Sequence, residues 1–399
     1  MIYNIIQGDN RAVLKTFPDN HFDSIVTDPP YGIDFLGKAW DANTGALETY
    51  QECLRVLKPG GHILAFSAAR TYHHLAVTIE QAGFEIRDQI MWIYSSGFPK
   101  SQDVGKSIQR SLGVKEKKIL DKTTGYTNKE GVKGKEKWMS PGNTTGDDYA
   151  KQQEQVVCTD PEAKQWSGWG TQLKPAHEPI VLARKPIKLS IAKNCQTWGT
   201  GALNINATRV GDEIFDTSQN RRTTQDEQIY DGGWADKPGG EIVQGRFPSN
   251  VLGDIPDYQK YFYCPKVSRK ERHVGFDDPG PLFPGADGGG REMLAERDAM
   301  VIQNKSLTTN SVPIEQNNHP TVKPIELMKY LIQLVTPPGG RVLDPFNGSG
   351  STGCAAVELD YDYTGIELDP AYVDIATKRI AAWYQSTHST NYTELFTHA

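Results

Sequence analysis

Asp344-Pro345-Phe346-Asn347-Gly348-Ser349-Gly350-Ser351-Thr352-Gly353 is the stretch on which the fold turns. It follows a short apolar strand pattern at 341–343 and opens a helical pattern at 352–359. Glycines there let the backbone approach a ligand, and the helix N-terminus offers free N–H groups. The next strand pattern, 363–366, ends at Glu367, seventeen residues after Gly350. A carboxylate at that point accepts hydrogen bonds from two ribose hydroxyls. Strand, glycine loop, helix, strand and acid together are the signal of an adenosine cofactor.

Working outward, the first hundred residues also alternate. Strand patterns at 2–6, 22–26, 62–66 and 86–94 are separated by helical patterns at 48–57 and 75–81. Lys58-Pro59-Gly60-Gly61 reads as a helix stop. One more strand, His177-Glu178-Pro179-Ile180-Val181-Leu182-Ala183-Arg184, follows a polar, Lys- and Gly-rich stretch at 95–165. The pattern predicts an α/β fold with a mostly parallel sheet. From 187 to 310 periodicity is weak, and so long an irregular stretch implies a small separate region or functional loops. The closing helix, 371–384, puts Tyr372, Ile375, Ala376, Ile380 and Trp383 on one face.

Composition narrows the class. The chain has 399 residues, 37% hydrophobic and 23% charged, with a mean hydropathy of -0.54 and a net charge of -6. No apolar run is long enough for a membrane-spanning helix, and the N-terminus reads as free of a secretory signal. Five scattered cysteines without a CxxC pair suit a reducing cytoplasm and point to neither a disulfide framework nor a metal site. Negative net charge disfavours a protein that coats nucleic acid. Residues 98–139, however, carry eleven positive and five negative charges, +6 against -12 for the remainder. That stretch is either a solvated loop or a phosphate-contacting one.

Two ligands fit the glycine loop. A dinucleotide fold opens its domain with this unit, whereas here it comes last. Asp344 at the strand end would oppose a pyrophosphate but could receive the ammonium of a methionine moiety. S-adenosylmethionine is therefore favoured over NAD, and an NAD-dependent oxidoreductase is the more distant alternative. A second signal is Asp28-Pro29-Pro30-Tyr31 after strand 22–26. An acid at the carboxyl end of a strand lies beside the ligand crevice of an open α/β sheet, and a nearby aromatic can stack on a planar substrate.

With these motifs in this order the chain resembles the permuted, β-class amino-group DNA methyltransferases. Their catalytic DPPY comes first, a target-recognition region in the middle and an FxGxG cofactor motif last. Gly8-Asp9, the 52–61 segment, His319-Pro320-Thr321-Val322-Lys323-Pro324 and the 365–372 segment match as well. The resemblance implies a Rossmann-like, circularly permuted S-adenosylmethionine-dependent methyltransferase sheet with a large irregular target-recognition insertion. The implied division is a catalytic half at 1–94, a basic loop insertion at 95–165, a core strand region at 166–186, a target-recognition region at 187–310, a cofactor half at 311–385 and a tail at 386–399.

It also implies roles. Asp28 and the Pro29 carbonyl, with Pro30 holding the turn, accept from an exocyclic amine, and Tyr31 stacks on the extruded base. Asp9 meets the cofactor adenine. Phe346, Asn347, Gly348, Ser349 and Gly350 line the cofactor, Glu367 holds its ribose, and Asp344, Thr321 and Lys323 lie near its methionine end. His319 is either a ligand-side or a structural histidine. Trp166 and Trp169 either line a base pocket or form a packed corner. The implied reaction is methyl transfer to adenine N6 of a base flipped out of double-stranded DNA, with cytosine N4 as the alternative; Asp rather than Ser at 28 favours adenine. A carbon-5 cytosine enzyme would need a Pro-Cys nucleophile, and no cysteine here follows Pro. The resemblance further implies a cytoplasmic enzyme of a bacterial or phage-infected cell. A homodimer and a cognate restriction enzyme are among its implied partners.

If the basic stretch meets DNA, Lys100, Lys115, Lys117 and Lys118 are the candidate contacts. Neutralising Lys115, Lys117 and Lys118 together should then weaken binding on every sequence. The slope of log affinity against log salt should flatten by roughly 0.9 for each phosphate that loses its lysine. A triple variant with the parent's slope would assign the stretch to solvent.

Overall fold

The computed structural model describes residues 2–33, 43–94, 101–114, 117–121, 153–216, 242–253, 269–276, 317, 319 and 321–388. The chain divides into two compact units, one of residues 1–95 with 177–399 and one of residues 96–176. Among the described residues no helix is long and apolar enough to cross a membrane.

Among the described residues the strands are β1 (Tyr3–Gln7), β2 (Phe22–Thr27), β3 (Leu57–Phe66), β4 (Glu85–Ile93), β5 (Lys117–Asp121), β6 (Gln153–Val157), β7 (His177–Arg184), β8 (Val210–Asp216), β9 (Ile242–Arg246), β10 (Val251–Gly253), β11 (Arg341–Asp344) and β12 (Asp362–Glu367). Eight of them form the sheet of the larger unit in the order β1-β12-β11-β2-β3-β7-β4-β10. All pairs are parallel except those of β7, which runs antiparallel between β3 and β4. The two ends of the chain thus share one sheet, with β1 against β12 and β11 against β2.

Successive residues of a strand point to opposite faces, and the core follows that rule. Leu64 and Phe66 pack with the helices Ile325–Val335, Ser351–Glu358 and Pro370–His388 on one face. Ile63 and Ala65 pack with Leu47–Val56 and Tyr72–Gln81 on the other. All six residues of β2 are buried, as a central parallel strand covered on both faces requires.

Two sequence readings change. Lys58-Pro59-Gly60-Gly61 does end the helix, but the same four residues belong to β3. Phe22 pairs Leu57 and Ser24 pairs His62, so β3 bulges there. A bulge accepts a proline that has no N–H to give. The Pro59 carbonyl is taken by Asn194 Nδ2 at 2.8 Å and Thr200 Oγ1 at 2.7 Å, and Gly60 adopts φ +81°. The second change is in the 187–310 region, which is not wholly separate. Its helix Ile191–Trp198 supplies Asn194, and β10 joins the main sheet beside β4, with Leu252 buried. A three-residue strand is too short to show periodicity.

The smaller unit is likewise more than a basic loop, and it includes 166–176, which the sequence reading gives to the core. A helix at Val104–Ser111 and another at Pro161–Gln165 pack together, and β5 pairs with β6. If β10 is a working part of the core, Leu252→Ala should lower unfolding free energy by roughly 2–4 kcal/mol. Urea unfolding measures this; a cost near zero would place β10 outside the cooperative core.

Candidate active site

β2 delivers Asp28-Pro29-Pro30-Tyr31 to the carboxyl edge of the sheet. Pro29 is buried and Asp28 is partly exposed. Both oxygens of Asp28 are engaged. Oδ2 accepts from Lys323 Nζ at 2.5 Å and Oδ1 from the Tyr31 hydroxyl at 2.9 Å. Lys323 Nζ also lies 3.0 Å from that hydroxyl and 3.5 Å from Glu178 Oε2. Glu178 Oε2 is 2.8 Å from the same hydroxyl. Burial pulls the Lys323 ammonium down, but the carboxylates of Asp28 and Glu178 outweigh it and hold the group above the ordinary lysine value. Burial, then the same two charges, pushes the Tyr31 phenol far above its usual range. Tyr31 therefore stays a neutral donor.

Lys323 is brought to the catalytic motif: its ammonium lies on the Asp28 carboxylate, over the Phe66 ring at 4.9 Å. Glu178 is a site residue that the sequence reading misses. The signal available is an acid directly before the run Pro179-Ile180-Val181-Leu182-Ala183.

The glycine loop joins β11 to the helix Ser351–Glu358. Gly350 is left-handed at φ +78°, and a side chain there would press on Ala376 and Ile380. Glu367 Oε2 accepts from Gly348 N at 2.8 Å and Oε1 from Asp369 N at 2.9 Å, while the half-buried residue stays at the open edge. Burial raises its carboxyl above the ordinary value. Asn347 is bonded to Tyr363 and buried. Phe346 is half-buried with Tyr50 at 6.4 Å.

Asp344 ends β11 at the start of the loop. It is 2% exposed and accepts from Thr27 Oγ1 at 2.6 Å, Thr352 Oγ1 at 2.7 Å and Phe346 N at 3.1 Å. These bonds brace the loop. Ser349 is similarly buried, holding the guanidinium of Arg379, which also donates to the Glu271 carbonyl at 2.9 Å. Arg379 is a second residue that the sequence reading misses. Its signal is a charge on the apolar face of the last helix.

Asp9 caps the short helix Asn10–Val13 and pairs with Arg11 beside the end of β12. The Thr321 carbonyl lies 3.0 Å from His319 Nδ1. Burial lowers His319 to about 4, so it is neutral at neutral pH, and it wedges between Tyr372 and Gly348.

Lys100 and Lys115 lie outside the described residues. Lys117 and Lys118 lie in β5, their side chains undescribed. Trp166 and Trp169 meet edge to face at 5.3 Å and both are exposed. Among the described residues no group of three His, Cys, Asp or Glu could hold a metal ion.

A family model described as DNA methylase matches residues 22–378. The chain belongs to this family. Among curated proteins, this DNA methylase chain is 51% identical over 57 residues to the Type II methyltransferase M.Cfr9I of Citrobacter freundii, 14% of this chain and 19% of the relative. It is 41% identical over 66 residues to the DNA adenine methyltransferase YhdJ of Escherichia coli, 16% of this chain and 22% of the relative. The chain thus spans about a fifth of the length of the curated relatives it matches. Among solved structures, the cytosine-N4-specific PvuII DNA methyltransferase is 14% identical with a TM-score of 0.43, covering 97% of this chain and 93% of that one.

Burial raises Asp344 from 3.8 to about 6, against the opposing effect of its three donors. Between those values the folded chain holds a proton that the unfolded chain releases. This group's contribution to stability therefore falls as pH rises through that window and levels off above it. Asp344→Asn should remove the fall, which amounts to about 3 kcal/mol over the whole window. Urea unfolding across the window checks it; identical pH slopes in both proteins would contradict the assignment.

Proposed function

We propose that the protein transfers a methyl group from S-adenosylmethionine to the exocyclic N6 amine of adenine in double-stranded DNA. The observation that carries this is the Asp28 carboxylate, held from behind by Lys323 and Tyr31 at the sheet edge shared with the glycine loop. The motif order, Asp28-Pro29-Pro30-Tyr31 before Phe346-Asn347-Gly348-Ser349-Gly350, supports the permuted arrangement.

The glycine loop fits the cofactor. Left-handed Gly348 and Gly350 leave backbone without side chains at the N-terminus of the helix Ser351–Glu358, and Glu367 stands at the end of the neighbouring strand. Glu367 would hold ribose hydroxyls, Phe346 would line the adenosine and Asp9 would meet the adenine. When bound, S-adenosylmethionine supplies a methyl group on an activated sulfonium. The rest is positioning. An exocyclic amine is a poor nucleophile because its lone pair is delocalised into the ring. Asp28 and the Pro29 carbonyl, accepting its N–H bonds, would localise that pair for in-line attack. In a duplex the amine is out of reach, so the base must be flipped, and Tyr31 would stack on it.

Aspartate at position 28 and the adenine-specific name of the Escherichia coli relative support adenine. Cytosine N4 is the second reading, because the matching DNA methylase family covers both amines. The Type II designation of the Citrobacter relative supports a cognate restriction enzyme as partner.

Incubation of DNA with methyl-labelled cofactor, followed by nucleoside analysis, should yield N6-methyladenine. Asp28→Ala should reduce transfer on the order of a hundredfold or more while cofactor affinity is retained. N4-methylcytosine would select the second reading, and a fully active Asp28→Ala enzyme would end the assignment.

A further inference from the structure

Two carboxylates, an ammonium and a phenol meet at Asp28, and their hydrogens do not complete the set. Lys323 brings three hydrogens, for Asp28 Oδ2 at 2.5 Å, the Tyr31 oxygen at 3.0 Å and Glu178 Oε2 at 3.5 Å. The Tyr31 oxygen also lies 2.9 Å from Asp28 Oδ1 and 2.8 Å from Glu178 Oε2. A phenol carries one hydrogen. One hydrogen cannot fill two oxygen–oxygen contacts of that length. With both carboxylates ionised, the cluster has a net charge of about -1 and one contact short of a proton.

We propose that this cluster is the acceptor for the proton released by the methylated amine, Asp28 receiving it and Tyr31 relaying a proton onward to Glu178. The inference rests on the methyl-transfer reading above. The amine nitrogen forms its bond to the methyl carbon as the carbon–sulfur bond breaks, its pair leaving with sulfur. An N–H bond of the resulting ammonium then breaks, its pair staying on nitrogen, and the proton joins Asp28 Oδ1. That oxygen donates to Tyr31 while the phenol's own hydrogen passes to Glu178 Oε2. Nothing is oxidised or reduced. The cluster becomes neutral and every short contact holds a hydrogen.

Glu178 suits the outlet. Its side chain is 21% exposed and comes from a different strand, β7, so it offers a route to water once a base covers Asp28. Among the described residues, the titratable groups facing it are Tyr31, Lys323 and Tyr94, with Asp28 on the far side of Lys323. Burial and the Glu178 carboxylate push Tyr94 up to about 12, so it is a neutral donor.

The test is single-turnover methyl transfer to DNA by Glu178→Gln and Tyr31→Phe, each measured over a range of pH and buffer concentration. Glutamine keeps the shape and still accepts from Tyr31 but takes no proton; phenylalanine keeps the stacking ring and removes the relay oxygen. Each should be slower on the order of a hundredfold, with cofactor and DNA affinities unchanged. Each should also regain rate as buffer base is added, while the parent does not respond. A variant with the parent's rate overturns the relay. Slow variants whose rates ignore buffer overturn it too, because they show packing alone. The two substitutions lie on separate elements, so if one prevents folding or binding the other decides. A parent that transfers no methyl group at all would instead defeat the underlying reaction.

Discussion

The bond from Thr27 Oγ1 to Asp344 ties together residues more than three hundred positions apart, and the site is arranged around it. Thr27 ends the strand that presents Asp28; Asp344 ends the strand that opens the glycine loop. A carboxylate so deeply buried is tolerated only with donors around it. Thr27, Thr352 and the Phe346 amide supply them, and in doing so fix the strand end, the loop and the following helix to one point. Farther down the same strand, Ser24 bonds Thr336 and Asp23 accepts from Lys58 and the Arg341 amide. β2 is thus held along its length largely by Thr336, Arg341 and Asp344 from the other end of the chain.

Buried charge recurs where the chain must hold an irregular backbone. Arg379 is fully buried and its Nε atom has no partner among the described residues. Its remaining nitrogens hold the Ser349 and Glu271 carbonyls, linking the glycine loop to the helix Arg269–His273. Glu271 in turn caps the helix Ile325–Val335 through Ile325 N. Leaving one nitrogen unsatisfied costs about 1–3 kcal/mol, a cost the loop geometry imposes.

Much of the fold was legible because parallel strands buried on both faces read as short apolar runs between breakers. β2 is of this kind, and β7, although antiparallel to both neighbours, is buried from Pro179 on and reads the same way. Asp28 and the glycine loop were legible as motifs at strand ends. What stayed hidden depended on tertiary partners. Pro59-Gly60-Gly61 carries the local chemistry of a stop, and only Asn194, Thr200 and the Lys185 carbonyl turn it into part of a strand. β10 is too short for a pattern. The pairing of Lys323 with Asp28 spans 295 positions and no spacing rule reaches it. Glu178 and Arg379 were visible in principle, each a charge interrupting an apolar face. Local patterns cannot tell such a residue from an edge of the stripe.

Because β7 runs against β4, Ile93 and His177 stand opposite each other in the ladder. The ladder ends at this pair, and residues 94–176 lie between its two members in the chain. In geometric terms that segment is the loop of a hairpin, and a hairpin can be closed by two residues. The sheet therefore sets no length for it. In the ladder the strand register on either side is indifferent to the length of this segment, so recombination at two neighbouring points could lengthen or exchange it without touching the sheet.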